Sequence, residues 1–274
     1  MTTMKKLFGL DGVSWALPLV CGIICLVAIG CGDTNVFEGM ADENSKEART
    51  EEALMAMDDG NYDKAISILS SLVNSHPNDD TLMQYLSSAY AGSAGLDTLD
   101  MLKVIGVLDD ADDSGSIDMI GLVLGDSNGV LTSEEVNDKL DQITTAIDIM
   151  NGIGTLNDDQ EIQLGVLSVT HLSLTLASII IEDQGEDEIT LTEEGINALY
   201  EGTPADFSDV DSQTLALDDI DQDLANITTA IDEIEALTDE DNDLAQDFED
   251  FTEAINPGGG PISQGDLENY IDNL

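Results

Sequence analysis

Side chains able to hold a metal ion are concentrated between residues 109 and 135. Aspartate, asparagine and serine alternate there with residues that have no ligand atom, and Gly115 and Gly129 allow sharp turns. Oxygen atoms at alternate positions of a tight loop suit Ca²⁺, a hard cation that prefers oxygen ligands. The candidate ligands are Asp110, Asp112, Ser114, Asp118, Asp126, Asn128 and Glu135.

Both halves of this segment resemble parts of an EF-hand calcium loop. Residues 110–118 are similar to the front half, but Gly121 stands where the closing Glu belongs. Residues 126–135 are similar to the rear half and end in Glu135, without the first ligand. Each half lacks a charged ligand, so the resemblance implies weak calcium binding; calcium is a possible cofactor, and none is required. Thr132 and Glu135 also fit a capping box, which explains this Glu without a metal.

The chain offers few residues for a catalytic mechanism. Its histidines are His76 and His171, its cysteines lie at or before Cys31, and no glycine-rich phosphate loop or zinc-ligand spacing is present. His76 is expected in an exposed loop. His171 lies in an uncharged stretch, where a histidine is usually a core residue hydrogen-bonded to a carbonyl or carboxylate; a functional role is the alternative. We predict that the protein is not an enzyme, although catalysis by carboxylates alone stays open.

Acidic residues dominate the charge of the chain. It has 58 Asp and Glu against 7 Lys and Arg, which gives a formal net charge of −51 at pH 7. Nucleic acid and anionic lipid headgroups bind to Lys and Arg, so neither is expected as a partner. Self-repulsion on this scale opposes compaction unless counterions are abundant. The acids form either a solvated, salt-adapted surface typical of marine or halophilic proteins, which we favour, or specific sites for divalent cations.

The N-terminal residues carry the pattern of an export signal. Two lysines precede an uncharged run over residues 12–30, and small residues lead into Cys31. This resembles the signal peptide (1–30) and lipobox of a bacterial lipoprotein, which implies lipid on Cys31 and a flexible tether over 31–45. In that family Asp after the Cys retains the protein at the inner membrane, so Gly32 implies the outer membrane. The alternatives are an uncleaved N-terminal helix and a signal that is cut without lipidation.

Residues 46–108 have the pattern of paired helices. Gly60 separates a stretch with small apolar residues from a second apolar stripe, which contains Ala65 and ends at Pro77. This resembles a tetratricopeptide repeat (TPR), a helix–turn–helix unit, and residues 80–108 are in register as a degenerate second repeat. A plain amphipathic helical hairpin is the alternative. The resemblance implies a concave surface for a partner segment, with these candidate contact residues: Tyr62, Tyr85 and Tyr90.

The rest of the chain predicts a helical bundle over 136–256, then a Gly/Pro linker and a short helix over 257–274. Apolar residues at spacings of three and four give helical faces on both sides of an uncharged segment, 162–181. We interpret this segment as the central helix of the bundle, with a membrane span as the alternative. Residues 143–148 recur at 227–232, as expected for two helices that pack alike, with an ancient duplication as the alternative.

The predicted fold is therefore all-α, with TPR-like helical hairpins followed by an acidic helical bundle. The predicted function is that of an interaction or scaffold protein of the bacterial cell envelope, which contacts the membrane only through its lipid. Its expected partner is an unidentified envelope protein or peptide. A calcium-binding envelope protein that uses residues 110–135 is the alternative.

Overall fold

A computed structural model shows an all-α protein, as the sequence predicts. It describes residues 44–96, 130–190, 193–200, 203–237 and 243–274. The chain divides into two units, Met1–Ala48 and Arg49–Leu274, and the packing described below is that of the second unit. The helices are α1 (Lys46–Asp58), α2 (Tyr62–Ser75), α3 (Asp80–Ser93), α4 (Ser133–Asn151), α5 (Asp158–Gln184), α6 (Glu193–Leu199), α7 (Ser212–Leu215), α8 (Leu217–Leu237), α9 (Asp243–Ile255) and α10 (Gln264–Asp272). The strands are β1 (Val130–Thr132) and β2 (Glu188–Thr190), and a 3₁₀ turn spans Phe207–Asp209.

The first three helices pack around an apolar cluster of their own. Gly60 has a φ of +71°, which glycine adopts without strain and which turns the chain between α1 and α2. Asn61 caps α2, because its side chain accepts a hydrogen bond from the Lys64 amide at 3.3 Å, and Asp79 caps α3 in the same way. The cluster is formed by Ala53, Ala56, Ala65, Leu69, Leu72, Leu82, Leu86 and Ala89. Half of these residues are alanine, which allows the three helices to lie close together.

A small antiparallel ribbon, which the sequence does not predict, joins the two ends of the α4–α5 hairpin. Leu131 of β1 pairs with Ile189 of β2, and both side chains are buried. Thr132 ends β1 and begins α4 as its N-cap, in a capping box with Glu135. The ribbon therefore fixes the start of α4 to the end of α5.

Helix α5 is the predicted central helix of the bundle. It begins at a capping box between Asn157 and Gln160 and ends at Gly185, which adopts a left-handed conformation with a φ of +65°. Among the described residues it is the one helix long and apolar enough to cross a membrane, and 94% of its most apolar 18-residue window is buried inside the protein. Its side chains are buried almost without interruption from Leu164 to Ile181.

Two long helices pack directly against α5. Helices α8 and α4 both pack against it, α9 packs against α8, and α10 packs against α9 and α6. The buried aromatic residues Phe207, Phe251 and Tyr270 belong to this core. Helix α3 also packs against α4, so the first three helices and the bundle belong to one compact body.

Candidate functional site

A buried ion pair links the two longest helices of the described chain. His171 lies near the middle of α5, and Asp223 lies in the first half of α8. The Nδ1 atom of the His171 ring is 2.6 Å from Oδ2 of Asp223. The two residues are only 8% and 2% exposed, so their charges face each other largely out of water.

Three more polar side chains extend the pair along the interface. The Asn226 amide donates a hydrogen bond to the Ser168 hydroxyl at 2.9 Å, and the Gln222 amide donates to the Asn226 carbonyl oxygen at 2.9 Å. Ser168 also bonds to the Asp223 carboxylate. Residues three or four apart share one face of a helix, so α5 and α8 each present a polar strip to the other. In the described part of the chain no buried side-chain nitrogen or oxygen lacks a hydrogen-bond partner.

The electrostatic environment favours a proton on this pair. Burial opposes the charge of His171, but the hydrogen bond and negative charge of Asp223, with Asp219 and Asp148 nearby, raise the pKa of His171 above its usual value. Burial likewise raises the pKa of Asp223, and the hydrogen bonds from His171 and Ser168 offset part of this effect. Both shifts mean that the folded protein holds protons at this site more strongly than the unfolded chain does.

His171 is also the only source of positive charge among the side chains that follow Lys139. The sequence after Lys139 has 34 Asp and Glu and no Lys or Arg. No Lys or Arg that follows Lys139 can therefore compensate a buried carboxylate, and the imidazole of His171 is the one cationic side chain of this part of the sequence. The pair places that side chain in the core, beside Asp223.

A histidine whose Nδ1 is held by a carboxylate occurs in catalytic triads and in metal sites. Both uses need additional groups, either a nucleophile or further metal ligands. The described ranges contain no group of three or more His, Cys, Asp and Glu residues placed to hold a metal. With the groups that surround it, the His171–Asp223 pair can hold a proton and bind α5 to α8.

A second polar bridge joins the first three helices to the bundle. The Gln84 amide of α3 donates to the Gln163 carbonyl oxygen of α5 at 3.1 Å, and the Gln163 amide donates to the Ser88 hydroxyl at 3.1 Å. The Ser87 hydroxyl donates to the backbone carbonyl of Ala146 in α4 at 2.9 Å. These directed bonds fix the orientation of α3 on the bundle.

Most of the predicted calcium ligands lie outside the described residues. These are Asp110, Asp112, Ser114, Asp118, Asp126 and Asn128. Glu135 is described, and its Oε2 accepts hydrogen bonds from the Thr132 amide at 2.9 Å and the Thr132 hydroxyl at 2.8 Å. These bonds lower the pKa of Glu135, and they show that the capping box predicted from the sequence is formed.

The predicted partner-binding tyrosines are all half-buried in the helical hairpins. Tyr62, at the start of α2, lies against Gly92 of α3. Tyr85 packs on the cluster between the first three helices, and Tyr90 packs on both this cluster and the bundle core. Each ring therefore contributes to packing and keeps part of its surface accessible.

The sequence pointed to His171 but not to its partner. Asp223 is one of many aspartates in α8, and only its place on the apolar face, three residues after Ile220 and four before Ile227, distinguishes it. Residue types at helical spacing could have suggested a buried acid, but they could not have shown which helix faces α5.

No protein-family model, no curated protein and no solved structure matches the chain. The predicted lipidation residue, Cys31, lies outside the described residues.

Proposed function

We propose that the protein is a lipid-anchored scaffold of the bacterial cell envelope, whose helices α1–α3 bind a partner protein or peptide. The observation that carries this proposal is the three-helix array α1–α3, which has its own apolar cluster and is fixed to the bundle by hydrogen bonds from Gln84 and Ser87. A rigid body that holds a small helical array in one orientation suits the presentation of that array to a partner.

The surface of α1–α3 has the residue types that interfaces favour. Met55 of α1 is 57% exposed, a large exposure for an apolar side chain, and Tyr85 is partly accessible. Methionine and tyrosine are both enriched in protein interfaces. Two of the seven basic residues also lie here: Arg49 and Lys64. This part of the protein is therefore less uniformly acidic than the bundle.

The anchor in this proposal is Cys31, after the uncharged run that resembles a lipoprotein signal. The test is metabolic labelling with an alkyne fatty acid in a bacterial host, followed by fractionation of membranes. We expect the label on the wild-type chain and its loss in Cys31→Ala, together with release from the membrane fraction. Cys25→Ala is the matched control and should keep the label. Equal labelling of wild type and Cys31→Ala would contradict the anchor.

Partner binding is tested by site-specific photo-crosslinking of the full chain in its own cells. A photoreactive residue at Met55 or Tyr85 should give a discrete cross-linked product of constant mass. The same residue at Thr229, an exposed position on α8, is the control and should give none. Cross-links from Thr229 but not from Met55 or Tyr85 would move the binding surface to the bundle and overturn the assignment to α1–α3.

A further inference from the structure

We propose that the His171–Asp223 pair is a pH-sensitive clasp between α5 and α8. The pair holds the two helices together while it carries a proton, and the contact between the helices weakens when alkaline solution removes that proton. This inference concerns the stability of the bundle and does not depend on the proposed scaffold function.

The geometry places the clasp within a continuous helix–helix contact. Three residue pairs meet across the interface: Gly165 with Ala230, Ser168 with Asn226, and His171 with Asp223. The numbers rise on α5 as they fall on α8, so the helices are antiparallel and the pair lies within two turns of their close approach. A change in the charge of the pair therefore acts directly on the largest interface of the bundle.

Among the described residues, the charged groups that act on His171 supply no positive charge when it loses its proton. The one basic residue of α4, Lys139, donates a hydrogen bond from Nζ to the Ala94 carbonyl oxygen. The charged groups that act on His171 are Asp223 and Asp219 of α8 and Asp148 of α4, and all three are acidic. Helix α7, which also packs against α5, has no ionisable side chain. The ionisable residues of the other elements in contact with α5 are Asp209 in the 3₁₀ turn, Glu188 in β2, and Asp80, Tyr85 and Tyr90 in α3.

Deprotonation thus leaves a buried carboxylate among other carboxylates, with only neutral groups as hydrogen-bond partners. A buried charge that loses its counter-charge is strongly destabilising. The neutral imidazole still donates one hydrogen bond from Nδ1, so the expected result is a weaker interface and not complete unfolding.

The direction of the pH dependence follows from the raised pKa of His171. The contribution of the pair is fully present below the ordinary histidine pKa of 6.5 and is lost as the pH rises through the raised pKa of the folded protein. The many surface carboxylates are already ionised in this range, so they do not produce the effect. The other histidine, His76, is exposed and lies at the end of α2.

The test is the melting temperature of the full chain between pH 6 and pH 9, in buffers of equal ionic strength. We expect the wild-type Tm to fall across this range by about 2–4 °C, the size of shift that the loss of one stabilising interaction produces in a protein of this size. His171→Gln should melt at a lower temperature at pH 6 and show little further change up to pH 9. His76→Gln is the matched control and should keep the wild-type profile.

A wild-type Tm that stays constant from pH 6 to pH 9, or a fall of equal size in His171→Gln, would overturn the clasp. If His171→Gln does not fold, the wild-type protein still gives the answer through the NMR titration of its histidine rings. One ring should titrate above pH 6.5, and the amide signals of α5 and α8 should shift or broaden with the same midpoint. Titration of both rings without any response in these helices would contradict the proposal.

Discussion

Gly165 of α5 lies against Ala230 of α8 with no space for a side chain between them. A Cβ atom added to Gly165 would stand 2.2 Å from the Cβ of Ala230 and 3.4 Å from the carbonyl oxygen of Asn226. Real Cβ atoms essentially never approach another atom within 3.0 Å, so this glycine sets how closely the two helices pack. The same separation brings His171 within hydrogen-bond distance of Asp223.

We expect Gly165→Ala to destabilise the protein by about 1–3 kcal/mol, because the added methyl group overpacks the α5–α8 crossing. Alanine is favoured over glycine in a helix by about 1 kcal/mol, so without overpacking the same substitution would stabilise the protein. The sign of the change in unfolding free energy therefore shows whether the crossing is overpacked. Urea unfolding followed by circular dichroism measures it. Gly154→Ala is the control, since a Cβ there meets no atom within 4 Å. A Gly165→Ala variant as stable as the wild type would show that the helices can move apart freely.

A second close contact lies in the helical hairpins, between Tyr62 of α2 and Gly92 of α3. A Cβ on Gly92 would stand 2.1 Å from Cε1 of the tyrosine ring. We expect Gly92→Ala to cost about 1–3 kcal/mol, because the ring must leave its position. In a Tyr62→Ala background the added methyl group meets no ring, so the same change should cost clearly less. A double-mutant cycle of unfolding free energies measures this coupling, and additive effects would contradict the contact.

The sequence predicted those parts of the fold that depend on local pattern. Apolar residues at helical spacing identified α4, α5 and α8, and Gly60 was correctly placed between two helices. The prediction that His171 is a core residue bonded to a carbonyl or carboxylate is also confirmed by its contact with Asp223. The helices and the turn at Gly60 follow from residues within one or two turns of each other, and the burial of His171 follows from the uncharged segment around it.

Features that depend on distant residues were missed. Strands β1 and β2 have three residues each and are separated by the whole α4–α5 hairpin, so neither has a recognisable pattern alone. Residues 205–219, an acidic stretch within the predicted bundle, contain a 3₁₀ turn, the short helix α7 and the start of α8. Part of this order comes from α10, whose carboxylates accept hydrogen bonds from backbone amides of residues 205 and 207. The sequence gives no local sign of these contacts.

A carboxylate of α10, that of Glu268, fixes the 3₁₀ turn through a hydrogen bond. Oε1 of Glu268 accepts a hydrogen bond from the Phe207 amide at 2.8 Å, which fixes the backbone beside a buried aromatic ring. Glu268→Ala should destabilise the protein by about 1–3 kcal/mol, because the amide loses its partner. Glu253→Ala removes the same charge from an exposed position of α9 and should change stability little. Thermal melts of both variants test this, and equal effects would mean that charge alone determines the result.

Substitution of Glu135 distinguishes its role in the capping box of α4 from a role as a calcium ligand. Glutamine can replace Glu in a capping box, whereas a calcium loop needs the charged, bidentate carboxylate. In sodium chloride, Glu135→Gln should therefore melt within a few degrees of the wild type, and Thr132→Ala should lose about 1 kcal/mol of stability through loss of the cap.

If the loops bind calcium, the wild-type Tm should rise more in calcium than in magnesium or in sodium chloride of equal ionic strength. The variants Glu135→Gln and Asp112→Asn should lack this additional rise. An equal rise in all three salts would contradict calcium binding, because screening of a net charge of −51 stabilises the folded protein without any specific site.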